Sequence, residues 1–161
     1  MALGLTTARL VLRPLAAADV EALQTLTDDP AITGAISFLS EQFTLADARA
    51  LIASSGGDDL FRGCRLKSDD TLIGVVGRHR RGTGGFEIGY WIGSRFAGRG
   101  YASEAARAVR DEIGAEHPGI AIFAECRPDN RASWRVLEKL GFRPTGEPGE
   151  RPGRVTLRFE G

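Results

Sequence analysis

Two glycines, Gly98 and Gly100, flank Arg99 at a point where the chain changes character. The stretch before them, 86–92 (FEIGYWI), is bulky and apolar and reads as a strand. The stretch after them, about 101–114, repeats apolar residues at helical spacing, with Ala102, Ala105, Ala106, Val109 and Ile113 on one face. A strand that turns into a helix leaves the first helical N–H groups without partners, and the helix dipole adds partial positive charge there. Glycines remove Cβ atoms, so an anion can approach that backbone closely. The turn is therefore expected to cradle a phosphate, with Arg95 and Arg99 adding charge at its rim.

The rest of the chain supplies a sheet around this turn. Residues 9–13 alternate and read as a strand ending at Pro14. Residues 17–28 read as a helix with Val20, Leu23 and Leu26 along one side, stopped by Asp29-Pro30. The segment 31–43 reads as irregular. Residues 44–54 read as a helix capped by Thr44, with Leu45, Ala48, Leu51 and Ile52 as its stripe. Strands are expected at 59–66 and 71–78, joined by a polar KSDD turn. Residues 120–126 form a continuous apolar run, as in a strand buried on both faces. Asn130 can cap a helix ending at Gly141, followed by a strand near Phe142, a Pro/Gly-rich loop and a last strand at 155–159. With 161 residues, this fits one domain, 1–161, of mixed α/β class.

Three kinds of phosphate loop fit a glycine-rich turn to different degrees. The nucleoside-triphosphate loop requires a lysine that is absent here. The dinucleotide fingerprint requires a third glycine where Ser103 stands, and belongs at a first βαβ unit. The third pattern is [RQ]-x-x-G-x-[GA], and Arg95-Phe96-Ala97-Gly98-Arg99-Gly100 satisfies every fixed position. Around it lie Glu87-Ile88-Gly89-Tyr90-Trp91-Ile92-Gly93, then Gly100-Tyr101-Ala102-Ser103-Glu104-Ala105, Asn130-Arg131-Ala132-Ser133 and Leu137-Glu138-Lys139-Leu140-Gly141-Phe142. The opening Thr7-Ala8-Arg9-Leu10-Val11-Leu12-Arg13-Pro14 belongs to the same set. In that order, over nearly the whole chain, these motifs resemble the GNAT acetyltransferase superfamily, and within it the RimJ/RimL-like branch of ribosomal-protein N-terminal acetyltransferases.

The resemblance implies a GNAT fold: one mixed, mostly antiparallel sheet with a splayed parallel pair, 86–92 and 120–126, and helices on both faces. It implies acetyl-CoA as co-substrate, gripped at its pyrophosphate by the N–H groups of Gly98, Arg99, Gly100, Tyr101 and Ala102. Trp91, Ile92, Arg95, Asn130 and Ser133 complete the coenzyme set, and no metal is implied. A proline at position 100 is expected to abolish coenzyme binding while leaving the fold intact. A bulge at Gly89 would open the strand to the coenzyme arm.

Acetyl transfer to an amine needs a proton acceptor, because only the neutral amine attacks. Glu87 is the candidate, an acidic residue inside an apolar strand; an edge or strand-end position is the plainer account of it. The tyrosine that many superfamily members use as the acid is replaced by Leu137. Ser133 is the candidate to hydrogen-bond the departing thiolate; local helix capping is the plainer role for Asn130 and Ser133. Direct attack in a ternary complex is favoured over an acetyl-enzyme. The acceptor is expected to be a small-molecule or peptide amine, with determinants in 29–43 and 145–153. A non-catalytic acyl-CoA sensor is the alternative.

Lys+Arg and Asp+Glu both total 21, so no basic excess points to nucleic acid. Arg78, Arg80 and Arg81 read as a solvated strand end. The first residues resemble neither a secretion signal nor a membrane anchor. Cys64 and Cys126 match no metal spacing and read as free thiols of a cytoplasmic protein, monomer or homodimer.

Overall fold

The computed structural model describes residues 4–36 and 38–161. Eight strands form one sheet: β1 (Leu5–Thr6), β2 (Leu10–Pro14), β3 (Leu60–Leu66), β4 (Leu72–Arg81), β5 (Gly85–Ile92), β6 (Ala121–Cys126), β7 (Phe142–Pro148) and β8 (Val155–Phe159). Their order is β1-β2-β3-β4-β5-β6-β8-β7, and every pairing is antiparallel except β5 with β6. That parallel pair is joined only from Gly85–Glu87 to Ala121–Phe123. Beyond Glu87 the two strands part, so the expected splay is present and the edge of β5 facing β6 has no strand partner there.

The splay does not come from a bulge at Gly89. The β4–β5 register runs unbroken through Gly77↔Gly89, and the irregularity in this half of the sheet lies at Cys64/Arg65. Gly89 instead leaves open space beside its Cα, on the edge that β6 has abandoned.

Helices cover both faces. On one, α4 (Tyr101–Glu116) and α5 (Arg131–Lys139) pack Ala105, Ala106, Val109, Ile113 and Leu137 against Leu10, Leu12, Phe86 and Ile122. Ala105 and Ala106 of α4 are fully buried, which lets its axis approach the sheet closely. On the other, α1 (Val20–Thr27), α2 (Pro30–Thr33) and α3 (Leu45–Ser54) pack Leu23, Ile32 and Ala48 against Phe61, Leu72, Val75 and Trp91.

Local chemistry accounts for most of the helix boundaries. Thr44 caps α3 by accepting from Asp47 N–H, and the Asp47 carboxylate accepts in return from Thr44 N–H. Asn130 caps α5 by accepting from Ser133 N–H at 3.3 Å. Four further sequence expectations need correction. The first turn of the 17–28 helix is 3-10 (Ala17–Asp19), with the α-helix starting at Val20. The segment 31–43 is not wholly irregular: Asp29 caps a short helix that Pro30 opens, because a fixed φ and a missing N–H suit a first helical turn. Leu45 is exposed, so the stripe of α3 runs through Ala48, Leu51 and Ile52.

The fourth concerns the arginines. Arg78 is buried, and its guanidinium donates to Glu112 (3.2 Å) and Glu116 (2.9 Å). Arg62, 1% exposed, donates to both oxygens of Glu112 at 2.7 Å. Glu112 therefore points from α4 into the sheet, and β4 runs on past residue 78 to Arg81, which pairs with Gly85 of β5.

Candidate active site

A cavity of about 470 Å³ lies where β5 and β6 diverge. Its lining includes Glu87 and Trp91 from one face of β5 and Ile88 and Tyr90 from the other, so it passes through the gap in the sheet. One end meets the Gly98–Gly100 turn and the first turns of α4 and α5. The other meets α2, the segment after it, and the loop that carries Arg151 and Arg154.

At the first end the backbone is preset for an anion. Gly98 (φ 75°) and Gly100 (φ 83°) occupy the left-handed region, which residues with a Cβ enter only at a cost. Gly100 is the N-cap of α4 and offers no side-chain cap. Among the described residues, the N–H groups of Gly98, Arg99, Gly100, Tyr101 and Ala102 donate to no carbonyl or side chain of the protein. Five free amides in a turn at the mouth of a 16-residue helix suit a diphosphate. Arg95 and Arg99 are exposed near the turn and do not line the cavity. Ile92 does.

The N-terminal motif secures this turn. Glu104 accepts from the Thr7 hydroxyl (2.5 Å), Arg9 N–H (2.9 Å) and Arg9 Nε (2.8 Å), while the Arg9 guanidinium lies 4.2 Å from the centre of the Tyr101 ring. These contacts hold Glu104 ionised below the usual carboxylate range despite its partial burial.

In the middle of the cavity the Tyr90 hydroxyl lies 2.9 Å from Ser133 Oγ. Burial pushes the Tyr90 phenol up, so it stays protonated. Asn130 lines the same wall, its side-chain oxygen occupied by the cap. Cys126 is also there, donating its thiol to Arg127 O at 3.3 Å, and burial pushes that thiol up. The thiol therefore remains protonated, a poor nucleophile. Trp91 stands on the opposite face, donating to Thr27 Oγ1 at 3.1 Å and packing against Phe61 and Phe38.

Glu87 is buried, not an edge residue. Arg81 donates to one of its oxygens at 2.8 Å, and Arg151 holds the other in a short contact. Burial raises its pKa above the ordinary carboxylate value, against the downward pull of Arg151 and Arg81. Glu125, 0% exposed at its side chain, shares both arginines. Burial alone would raise Glu125, but the backbone N–H groups of Glu150 and Arg151 hold it below its usual range. His79 packs on Phe61 at 4.7 Å, and burial lowers its pKa, keeping the ring neutral.

Sequence reasoning misses Tyr90, Arg81 and Arg151. Strand alternation puts Tyr90 on the face of Ile88, which is the available signal. The arginine contacts have none, because they bridge segments up to 64 residues apart. Among the described residues no group of His, Cys, Asp and Glu could hold a metal ion, and no helix is long and apolar enough to cross a membrane.

Comparison with known proteins agrees with this geometry. The family described as "Acetyltransferase (GNAT) domain" matches residues 9–143. A Bacillus subtilis protein named as an uncharacterized N-acetyltransferase, YnaD, is 32% identical over 145 residues, covering 88% of this chain and 84% of that protein. A GNAT-family acetyltransferase from Bacillus anthracis superposes with a TM-score of 0.85 at 28% identity, covering 97% of each chain. The microcin C7 self-immunity acetyltransferase MccE, solved with acetyl-CoA and AMP, superposes at 0.80 with 20% identity, covering 94% of this chain and 92% of that one.

Proposed function

The chain belongs to the GNAT acetyltransferases and uses acetyl-CoA, and from that membership we propose that it transfers the acetyl group to a primary amine by direct attack in a ternary complex. The observation that carries this reading is the set of five unpaired amides at 98–102, opening onto a cavity that crosses the sheet beside Glu87.

Acetyl-CoA supplies an acyl group activated as a thioester. The amides of Gly98 to Ala102 hold its diphosphate, and the unpartnered edge of β5 from Ile88 to Ile92 lies along its amide arm. The amine nitrogen forms a bond to the carbonyl carbon, and the carbon–sulfur bond breaks. Glu87, held by an arginine at each oxygen and with lone pairs to spare, receives the amine proton through water. Ser133 and Tyr90 together donate to the departing sulfur, in the place left by Leu137, which is buried in the core. Direct attack without an acetyl-enzyme fits a Cys126 thiol whose pKa burial pushes up.

Within the family, the motif set from Thr7 to Phe142 favours the RimJ/RimL-like branch and so a protein N-terminal amine as acceptor. A small-molecule amine is the alternative, and a coenzyme-binding sensor the second. Two unbridged, buried cysteines favour a cytoplasmic protein, and we assign it as a monomer or homodimer of one domain. Calorimetric titration with coenzyme A, followed by thiol release across a panel of amines, tests the proposal. A transferase binds coenzyme and releases thiol only with an acceptor. Absence of coenzyme binding refutes it, and binding without thiol release from any amine leaves only the sensor.

A further inference from the structure

The acceptor end of the cavity is built from paired charges and one guanidinium that, among the described residues, has no carboxylate partner. Three guanidiniums, Arg81, Arg151 and Arg154, surround two buried carboxylates, Glu87 and Glu125. Arg81 and Arg151 are each shared between both carboxylates. Arg81 also lies 3.7 Å from Glu150, whose side chain is exposed to solvent. Arg154 has no carboxylate within 4 Å among the described residues. It donates to two backbone carbonyls, Glu125 O at 3.5 Å and Ala35 O in a short contact. It is half-buried and lines the cavity; burial first and Arg151 second disfavour its charged form, against the weaker pull of the more distant Glu125 and Glu87. A cation drawn partly out of water without a counter-ion is costly unless a ligand supplies one.

The wall beside these arginines is apolar. Phe38, Phe61 and Trp91 stand with ring centroids 6.0–6.3 Å apart, and Phe38 is 51% exposed although large and apolar. Phe38, Phe61 and Trp91 all line the cavity, and ligand pockets are commonly walled by aromatic side chains. No carboxylate in this half is free of an arginine, so nothing here would attract a second positive charge.

We propose that the acceptor is an amine carrying an anionic group and an apolar body, as in an apolar α-amino acid. Arg154 takes the anion, the Phe38–Phe61–Trp91 wall takes the apolar part, and the amine faces Glu87. The inference rests on the transferase reading and, within it, selects the small-molecule amine over the protein N-terminal amine, whose α-carboxyl is tied up in a peptide bond. A carboxylate and a phosphonate would satisfy Arg154 alike, and polyamines are disfavoured.

The test uses the whole chain with acetyl-CoA and reads thiol release. Phenylalanine, leucine and methionine are each compared with their amides and decarboxylated amines; the phosphonate analogue of phenylalanine and spermidine complete the set. The anionic acceptors should exceed their neutral counterparts in kcat/KM by about 10-fold or more, the effect of one charge-assisted hydrogen bond in a partly dry site. The phosphonate separates the two sources of the anion: matching phenylalanine means Arg154 reads charge, and falling behind means it reads a carboxylate. Arg154→Gln should bring the ratio close to one while the coenzyme Kd, measured by calorimetry, stays within about 2-fold; Arg154→Lys should retain part of the preference. The wild-type ratios decide the matter even if the variants fail to fold. Equal rates, faster turnover of spermidine, or no thiol release from any anionic acceptor overturns the inference while leaving acetyl transfer standing. Loss of coenzyme binding by the wild-type chain overturns both.

Discussion

The hydroxyl of Tyr90, on β5, lies 2.9 Å from the hydroxyl of Ser133, in the first turn of α5. The two residues meet only because β6 leaves β5 after Glu87 and brings the start of α5 over the gap. Either hydroxyl can donate to the other, with Ser133 O a further acceptor 3.4 Å from the Tyr90 hydroxyl, and in the proposed mechanism the remaining hydroxyl hydrogen serves the departing sulfur.

Tyr90→Phe should therefore lower kcat by about 10-fold or more with little change in coenzyme affinity, as for loss of one donor to a developing anion. Ser133→Ala should do the same. The double variant should cost less than the product of the singles, because both remove one shared hydrogen bond. Steady-state thiol release checks this, and additive losses would break the link between the two hydroxyls.

Gly100 sits at φ 83°, and a Cβ added there would lie 3.4 Å from the Arg9 guanidinium. Gly100→Ala should destabilise the fold by about 1–2 kcal/mol through backbone strain. It should also weaken coenzyme A binding by about 10-fold, since the new methyl group lies among the free amides. Thermal unfolding and calorimetry measure the two effects separately. Gly100→Pro is a poorer test than the sequence suggests: proline fixes φ near −65°, so the turn itself must be rebuilt.

The pH profile should report Glu87. The base must be ionised to accept a proton, so kcat/KM should rise with pH along a limb placed above the ordinary carboxylate range. Arg151→Gln removes a cation that favours the ionised form and should move that limb to higher pH. Glu87→Gln should abolish it, leaving only the acceptor's own ionisation at higher pH. The stability sign is opposite: a carboxylate raised in the folded state contributes stability below its unfolded pKa and loses it as pH rises through the folded one. A limb in the ordinary range, unmoved by Arg151→Gln, would remove Glu87 from the chemistry.

Glu112 offers a test of the fold independent of the site. It is the carboxylate that Arg62 and Arg78 share beneath α4. Glu112→Ala should cost about 3–5 kcal/mol, because two buried guanidiniums lose the carboxylate they share, Arg78 keeping only its contact with Glu116. The urea midpoint should fall accordingly, and a loss under about 1 kcal/mol would mean that water reaches the arginines.

How legible the site is depends on the range of each interaction. The free amides at 98–102, the Asn130 and Thr44 caps and the strand–turn–helix order are properties of a few consecutive residues. Local pattern therefore places them, with errors of one turn at Ala17–Asp19 and of one stripe residue at Leu45. Arg78 is misread because a charged residue at a strand end is usually solvated, and nothing nearby in the chain says that Glu112 of α4 covers it.

By itself the sequence determined the glycine turn with its free amides, the helix caps and the apolar faces that oblige the chain to form a covered sheet, because sterics, capping and burial act within a helical turn or a strand. The tertiary structure alone decided that Glu87 would lie between Arg81 and Arg151, that Tyr90 would reach Ser133, and that Arg154 would line the cavity without a carboxylate. The first two sets of contacts join residues 6 to 64 positions apart along the chain. Their existence depends on where β5 and β6 separate and where the 149–154 loop folds back, and strand order sets both.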